Sequence, residues 1–197
     1  MKIICIGVNY KAHAIEMGRA FPEKPVVFLK PDSAIIRNNK PFFIPGFSSN
    51  LHYEAEIVLR ICKVGRSVAE RFAHRYYDMI TLGVDMTARD LQAQQSKAGM
   101  PWEIAKGFDG SAPLGRFIHK DELGDMNNIS FSLLKNDVTV QEANSSDLIF
   151  SFDSIISYVS LFFTLKTGDL IFTGTPSGVG QVHPGDRLTG ILAGNQV

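Results

Sequence analysis

The sequence predicts an α+β fold with a β-rich core, and three features support that class. Short apolar runs rich in β-branched residues recur between segments that contain Gly, Pro and Asn, as in strands joined by turns. Segments with helical spacing are fewer, and they do not alternate regularly with the strands, which argues against a parallel α/β sheet. No internal repeat or low-complexity tract is visible, so we expect residues 1–197 to form one domain.

The strand predictions rest on local apolar patterns and on the turns between them. Residues 2–6 are nearly all apolar, as expected for a buried strand, and the second strand ends just before Pro31. Lys135, Asn136 and Asp137 separate two strand patterns and predict a β-hairpin. In chain order the predicted strands are residues 2–6, 26–29, 51–62, 129–134, 138–140 and 170–172, with a loop or weak hairpin over residues 38–50.

The helix predictions rest on apolar spacing and on capping residues. The longest pattern has a broad apolar face that includes Ile155, Val159 and Phe162. Thr87 is a candidate N-cap, because Asp90 follows three residues later as in a capping box. The predicted helices are residues 11–19, 68–80, 87–97 and 151–165.

Charge and composition argue against several classes of protein. The chain carries 20 Lys+Arg and 20 Asp+Glu, and no basic stretch is available to bind nucleic acid or an anionic membrane. Cys5 and Cys62 have no metal-binding spacing, which predicts reduced thiols and a cytoplasmic protein. No apolar run approaches the length of a membrane span. We therefore expect a small-molecule partner, with no nucleic acid and no membrane.

Three acidic residues are the most informative candidates for chemistry. Glu54 and Glu56 lie within the apolar strand predicted over residues 51–62, and Asp85 lies in the segment GVDMTARD (83–90). Side chains two residues apart in a strand leave on the same face, so both glutamates point the same way. Adjacent carboxylates repel unless one is protonated or a cation lies between them, so a divalent metal site is one interpretation. The alternative is an exposed edge strand, with Asp85 as a helix cap.

Five further residues are candidates for acid–base and substrate chemistry. His13 and Glu16 are three apart in a predicted helix, so they can form either a base that activates water or an exposed pair. Lys106 precedes a glycine-rich turn and points either into a pocket or into solvent. Gln92 lies about two helical turns after the third acid and can face the same cavity. Thr175 lies in a Gly- and Pro-containing turn, where the backbone can approach a ligand.

Six segments resemble motifs of the fumarylacetoacetate hydrolase family. They come in the family's order and, with their surroundings, cover roughly residues 5–190, so coincidence is a poor explanation. The similarity is greatest to the compact members of the acylpyruvase and oxaloacetate decarboxylase type. The segments are GVNYKAHA (7–14), FLKP (28–31), HYEAE (52–56), DMTARD (85–90), WEIAK (102–106) and GDLIFTGTP (168–176).

The resemblance carries expectations about fold, assembly and site. It implies a rolled or sandwich-like mixed β-sheet with a few flanking helices, a homodimer, and a Mg²⁺ or Mn²⁺ ion. It also implies that residues 9–20 form a lid that closes over a bound 2-oxo acid. The implied residues are Glu54, Glu56 and Asp85 as metal ligands, His13, Glu16 and Lys106 in catalysis, and Gln92, Thr175 and Lys30 in substrate binding.

The predicted function is metal-dependent hydrolysis of a C–C bond in an acylpyruvate-like β-diketo acid. His13 and Glu16 would activate water, and the metal would stabilise a pyruvate enolate. The alternatives on the same site are oxaloacetate decarboxylation or tautomerisation, and hydration or isomerisation of a related 2-oxo acid. A non-catalytic ligand-binding protein on this fold is an alternative from another class.

The chain departs from the family pattern at one position of the expected site. Many members have arginine where this chain has Val8, and that guanidinium would suit a substrate carboxylate. Arg19 and Lys30 are the candidates to replace its charge. The chain also ends at Val197, earlier than a closing strand is expected, which predicts that a few terminal residues are absent.

Overall fold

β-strands make up most of the regular structure. The computed structural model describes residues 1–18 and 20–197. In chain order its strands are β1 (Ile3–Gly7), β2 (Val26–Lys30), β3 (Ile35–Ile36), β4 (Leu51–Tyr53), β5 (Ala55–Ile61), β6 (Tyr77–Val84), β7 (Thr87–Ala88), β8 (Ala112–Pro113), β9 (Ile118–His119), β10 (Ser130–Lys135), β11 (Val138–Asn144), β12 (Leu170–Phe172), β13 (Gly180–Gln181), β14 (Leu188–Leu192) and β15 (Asn195–Gln196).

The helices are short and flank the sheets. The longest begins after Ser151, whose hydroxyl caps it by accepting a hydrogen bond from the Ser154 N–H at 3.2 Å. Within residues 1–18 and 20–197, no helix has the length and hydropathy needed to span a bilayer. The α-helices of these residues are α1 (Lys11–Glu16), α2 (Arg89–Ala98), α3 (Glu103–Lys106) and α4 (Phe152–Phe162), with 3-10 helices at Asp32–Ala34, Glu70–Arg75, Lys120–Glu122 and Ser145–Asp147.

The central sheet brings four chain segments together at one end. Its strand order within the described residues is β2-β1-β12-β5-β6-β9, with β1 and β12 parallel and the other neighbours antiparallel. The carboxyl ends of β1 and β12 therefore meet at the same edge. The β5–β6 register pairs Ala55 with Val84, so the start of β5 and the end of β6 lie at this edge too. The residues that follow β1, β6 and β12 thus converge on those that precede β5.

Strand alternation divides the apolar residues between two cores. Alternate residues of β5, such as Ala55 and Ile57, pack into the main core with α4 and β10. Val58, on the opposite face, packs with Cys5 and Phe172 in a second core. Glu56 shares the parity of Val58, so its carboxyl leaves the sheet on the side away from the main core. This agrees with the predicted separation of the glutamate face from Ala55 and Ile57.

The second large sheet closes over the main core. It is antiparallel in the order β11-β10-β14-β15, and smaller sheets combine β13, β4 and β7, and β3 with β8. A Cβ on Gly190 of β14 would lie 2.9 Å from the Leu82 side chain of β6, so glycine permits the close approach of the two sheets. The predicted α+β class with a β-rich mixed sheet is confirmed.

Three local predictions are wrong. The helix predicted over residues 68–80 is a 3-10 helix at Glu70–Arg75 followed by β6. Pairing with β5 and β9 on both sides stabilises β6 in place of the helix that the apolar spacing favours. The strand predicted over residues 51–62 is divided at Glu54, because the Glu54 carbonyl accepts a hydrogen bond from the Asp85 N–H. Thr87 is not a helix cap, because it lies in β7 and α2 begins two residues later.

Candidate active site

Three buried carboxylates meet where the four segments converge. One oxygen from each of Glu54, Glu56 and Asp85 lies within 4.8 Å of the others. Their residues are 4%, 2% and 0% exposed, respectively. The backbone fixes this arrangement, because the Asp85 N–H donates to the Glu54 carbonyl at 2.8 Å and the Gly174 N–H donates to Glu56 Oε2 at 2.7 Å. An all-oxygen set of this kind suits Mg²⁺ or Mn²⁺.

The Lys106 ammonium lies among these carboxylates. Lys106 Nζ is 2.7 Å from Glu54 Oε2 and 2.7 Å from Asp85 Oδ2. It also donates to Thr87 Oγ1 at 2.6 Å. The short helix α3 and the turn at its end therefore aim the lysine inward rather than into solvent. Three acceptors compensate for the loss of water around the buried cation.

Arg89 provides a second cation on the opposite side of Glu54. Its Nη2 lies 2.5 Å from Glu54 Oε1, and its Nη1 donates to Gln92 Oε1 at 2.6 Å. Both Arg89 and Gln92 are on the first turn of α2 and line the same cavity. Arg89 thus orients both Glu54, an expected metal ligand, and Gln92, an expected substrate contact.

These contacts separate the ionisation of the two glutamates. Burial alone would raise the pKa of Glu54, but the charges of Lys106 and Arg89 outweigh it and hold that pKa well below its ordinary value. Among the described residues, Glu56 accepts a hydrogen bond only from a backbone N–H, and burial together with the nearby carboxylates raises its pKa well above its ordinary value. Glu56 is therefore the acid of this cluster whose charge most needs a further cation.

The His13–Glu16 pair lies over the cavity at the end of α1. His13 Nδ1 and Glu16 Oε2 are 3.0 Å apart, and Glu16 Oε1 accepts a hydrogen bond from the Gly178 N–H at 3.0 Å. Glu16 therefore joins α1 to the loop that follows β12. Because Nδ1 is paired, Nε2 is the ring nitrogen that can exchange a proton with a ligand.

The cavity beneath this pair is small and has two kinds of wall. Its volume is about 20 Å³, close to that of a single water position. Larger clefts of about 780 and 640 Å³ lie elsewhere on the surface, but the buried acids open into the small one. The polar wall contains the acids with His13, Arg89, Gln92, Lys106 and Thr175, and the apolar wall contains Ile6, Val8, Met17, Phe28 and Trp102.

The family described as fumarylacetoacetate (FAA) hydrolase C-terminal matches residues 2–194. The chain belongs to the fumarylacetoacetate hydrolase family. The family fold and the family resemblance predicted from the sequence are confirmed.

Several members of the fumarylacetoacetate hydrolase family are similar to this chain over nearly its whole length. Oxaloacetate tautomerase YcgM of Escherichia coli (strain K12) is 40% identical over 197 residues, which are 100% of this chain and 90% of that protein. Mitochondrial oxaloacetate tautomerase FAHD1 of Bos taurus is 42% identical over 186 residues, 94% of this chain and 84% of that protein. The crystal structure of fumarylpyruvate hydrolase from Pseudomonas aeruginosa in complex with Mn²⁺ and pyruvate superposes with a TM-score of 0.94 at 38% identity, covering 98% of this chain and 85% of that one.

Lys30 takes a different position from the one expected of a substrate contact. Its ammonium is fully buried and lies 2.7 Å from Asp85 Oδ1. It also donates to the Lys106 carbonyl and, at 3.0 Å, to the carbonyl and hydroxyl of Ser111. Lys30 does not line the cavity. We therefore revise its assignment: it supports Asp85 from behind the cluster.

Val8 adds an apolar surface to the cavity at the position where the family resemblance leads us to expect arginine. Its φ of 58° is in the left-handed region, which is unusual for a β-branched residue and implies local strain. Lys30 is buried elsewhere and does not replace the missing charge. Arg19, the other candidate, lies outside the described residues, as does that part of the expected lid over residues 9–20.

Sequence reasoning missed several residues that support the site. Thr87 accepts from Lys106, and Ser111 binds Lys30. Asn9 is fully buried and binds both the Thr173 carbonyl at 2.8 Å and the backbone of Phe150. Asn9 and Thr87 lie in the motif segments 7–14 and 85–90, and this position is the sequence feature that could have indicated their role. Ser111 lies in no motif.

The raised pKa of Glu56 gives a stability prediction for the metal-free protein. A carboxyl whose pKa is higher in the folded state stabilises the fold below its unfolded value of 4.5 and loses that contribution as pH rises through the folded value. In EDTA, Glu56→Gln should therefore melt a few degrees higher than the unsubstituted protein near neutral pH. For a chain of this size that shift corresponds to about 1 kcal/mol in the free energy of unfolding. The difference should shrink toward pH 4.5. Melting curves from pH 4.5 to 8 measure this. Glu142→Gln, at an exposed residue of β11, should show no such trend, and an equal trend in both would contradict the prediction.

Proposed function

We propose that this protein is a divalent-metal-dependent enzyme of 2-oxo acids, with keto–enol tautomerisation of oxaloacetate as its first activity. The observation that carries the proposal is the convergence of three buried carboxylates on one cavity with a buried lysine and a His–Glu pair. The sequence alone favoured C–C hydrolysis of an acylpyruvate. The names of the two relatives at 40% and 42% identity favour tautomerisation instead.

Glu54, Glu56 and Asp85 are the residues that would hold the metal. Their oxygens suit Mg²⁺ or Mn²⁺, they are buried together, and the raised pKa of Glu56 indicates an uncompensated charge. Mn²⁺ is the ion named with the fumarylpyruvate hydrolase relative. A divalent ion bound there supplies Lewis-acid polarisation of the 2-oxo group.

The side chains around the cavity would then move one proton. His13 Nε2 removes a proton from C3 of the keto form, so the C–H electron pair enters the C2–C3 bond and negative charge develops on the C2 oxygen. Glu16 holds Nδ1 and stabilises the imidazolium that forms. The Lys106 ammonium stabilises the charge on the oxygen. Return of the proton from His13 to that oxygen completes the enol, with no water consumed.

C–C hydrolysis is the second candidate, because the fumarylpyruvate hydrolase relative superposes over 98% of this chain. Here His13 would take a proton from water, and the hydroxide would attack the carbonyl distal to the 2-oxo acid. The C–C bond then breaks, its electron pair stays with the pyruvate fragment as an enolate, and a proton restores pyruvate. A ligand-binding protein without catalysis would not need the His13–Glu16 pair together with Lys106.

One experiment separates these candidates. Purified protein with Mg²⁺ is given oxaloacetate and acetylpyruvate in parallel, while the ultraviolet absorbance of the enols and the release of pyruvate are followed. We expect faster keto–enol equilibration of oxaloacetate without pyruvate release. Pyruvate from acetylpyruvate would indicate the hydrolase, and pyruvate from oxaloacetate the decarboxylase. No change with either substrate under Mg²⁺ or Mn²⁺ would contradict the proposed function. The homodimer and the cytoplasmic location stay predictions.

Lys106→Met should separate catalysis from metal binding. Removing the ammonium takes away the group that stabilises developing negative charge, and kcat should fall by about 100-fold or more. The carboxylates that would hold the ion remain, so Mg²⁺ should bind at least as tightly as before. Kinetics and calorimetric Mg²⁺ titration measure the two quantities. Lys97→Met, at an exposed residue of α2, should change neither. Loss of Mg²⁺ binding with Lys106→Met would contradict the assignment.

A further inference from the structure

Gln141 is a buried polar residue on an otherwise mostly exposed strand. It lies in β11, whose other residues are exposed or half-buried, while Gln141 is 2% exposed. Its side chain reaches from the second large sheet to the edge of the candidate site. There it contacts Ala55 and the loop that contains Thr175. A glutamine buried to this degree needs all of its hydrogen-bonding groups satisfied.

The orientation of the Gln141 amide follows from its partners. The Ala55 N–H can only donate, so the oxygen 2.8 Å away is Oε1. The Pro176 carbonyl can only accept, so the nitrogen 3.0 Å away is Nε2. The opposite orientation would place NH₂ against N–H and oxygen against oxygen. The partners of both amide atoms therefore require the same orientation. In it, Nε2 is the atom that lies 2.9 Å from Thr175 Oγ1.

This orientation determines what the Thr175 hydroxyl can do. Gln141 Nε2 donates to Oγ1, so the hydroxyl accepts from Gln141 and keeps its own proton for another partner. Within residues 1–18 and 20–197, the acceptor within reach is the Pro176 carbonyl at 3.5 Å, which is a weak contact. Thr175 also lines the cavity. Its proton is thus available to an oxygen of a bound ligand.

We propose that Gln141 is a positioning residue that sets Thr175 as a hydrogen-bond donor to the substrate carboxylate. The inference rests on the proposed function, because it takes a 2-oxo acid as the ligand. Ala55 lies between the expected metal ligands Glu54 and Glu56, so the same amide also links the ligand segment to the substrate loop. The hydrogen bond from Gly174 to Glu56 joins these two segments a second time.

Gln141→Glu tests this role with little change in shape. One carboxylate oxygen can still accept from Ala55, but the other replaces a donor with an acceptor, so it lies against the Pro176 carbonyl and draws the Thr175 proton toward itself. With Mg²⁺ present, the KM for oxaloacetate and the Kd for pyruvate should rise at least about ten-fold, as for a lost charge-assisted hydrogen bond, with kcat within about two-fold. In a Thr175→Val background the same substitution should have little further effect, because the hydroxyl that it redirects is absent. Gln181→Glu, in β13, is the matched control, since its side chain binds the Ser49 carbonyl outside the cavity.

The outcomes distinguish this inference from the proposed function. If Thr175→Val weakens pyruvate binding but Gln141→Glu does not, the positioning role is wrong and the proposed function stands. The role would also be overturned if Gln141→Glu raised the Kd for pyruvate equally in the unsubstituted protein and in the Thr175→Val background. If the unsubstituted protein binds no pyruvate with Mg²⁺, the proposed function fails and the inference with it. Should Gln141→Glu not fold, Gln141→Met removes the donor without adding charge, and the same comparison should then give about a five-fold rise.

Discussion

Glu56→Gln is expected to lower the affinity for Mg²⁺ by at least about 100-fold and to abolish metal-dependent turnover, while the protein remains folded. The substitution removes one of three expected ligand charges, and neutral amide oxygen is a poorer ligand for a hard dication than carboxylate. The amide oxygen can still accept the Gly174 N–H, so the backbone around it is preserved. Calorimetric titration with Mg²⁺ measures the affinity directly.

Thermal melting with and without Mg²⁺ gives an independent measure of the same prediction. A ligand at 100 times its Kd stabilises a protein by about 2.7 kcal/mol, so the melting temperature of the unsubstituted protein should rise by several degrees. Glu56→Gln should gain at most about 0.4 kcal/mol at the same Mg²⁺ concentration, a rise of about one degree, and Glu142→Gln should match the unsubstituted protein. Full Mg²⁺ binding by Glu56→Gln would remove Glu56 from the ligand set.

Asp85→Asn should contrast with Glu56→Gln in stability, although both should lose the metal. Asp85 lies 2.7 Å from both Lys30 and Lys106, so neutralising it leaves two buried ammonium groups with fewer counter-charges. Breaking a buried pair in this way costs about 3–5 kcal/mol. Two residues expected to bind the same ion thus have opposite effects on the metal-free fold, because only one of them has cations in contact.

The sequence was informative where local pattern and final structure agree. The strands β1, β2, β10 and β12 and the helix α4 were predictable because a single run of apolar residues decides each of them. β6 was missed because residues 68–80 have helical spacing, and the strand is selected by pairing with β5 and β9 rather than by its own sequence. The break at Glu54 depends on a hydrogen bond from Asp85, 31 positions further along the chain.

The candidate site shows the same division between local and long-range causes. Glu54 and Glu56 could be found because a strand places alternate residues on one face, and because two adjacent buried carboxylates predict a bound cation. Gln141 could not, because its partner Ala55 is 86 residues away. Thr87 was misassigned because its neighbours resemble a helix cap, whereas Lys106, 19 residues later, determines its hydrogen bond. Side chains that act through distant partners carry no local signature.

His13→Ala is expected to slow tautomerisation or hydrolysis by about 100- to 10,000-fold and to leave Mg²⁺ binding unchanged. His13 lines the cavity but is not one of the three acids that would hold the metal. Oxaloacetate decarboxylation needs no proton acceptor, so any metal-dependent decarboxylation should persist in the variant. Kinetics on oxaloacetate and acetylpyruvate measure tautomerisation, hydrolysis and decarboxylation, and calorimetric titration measures Mg²⁺ binding. His183→Ala, at an exposed residue, is the control.

Glu16→Gln then separates the two contacts of Glu16. The amide oxygen can still accept the Gly178 N–H, so α1 stays joined to the loop after β12, whereas the negative charge beside His13 is lost. We expect a lower kcat with little change in KM, because a neutral partner no longer stabilises the imidazolium. Glu16→Ala should lose both contacts and raise KM as well. Equal KM values for the two variants would mean that the bond to Gly178 does not help to hold substrate, and a normal kcat in both would place the base elsewhere in the cavity.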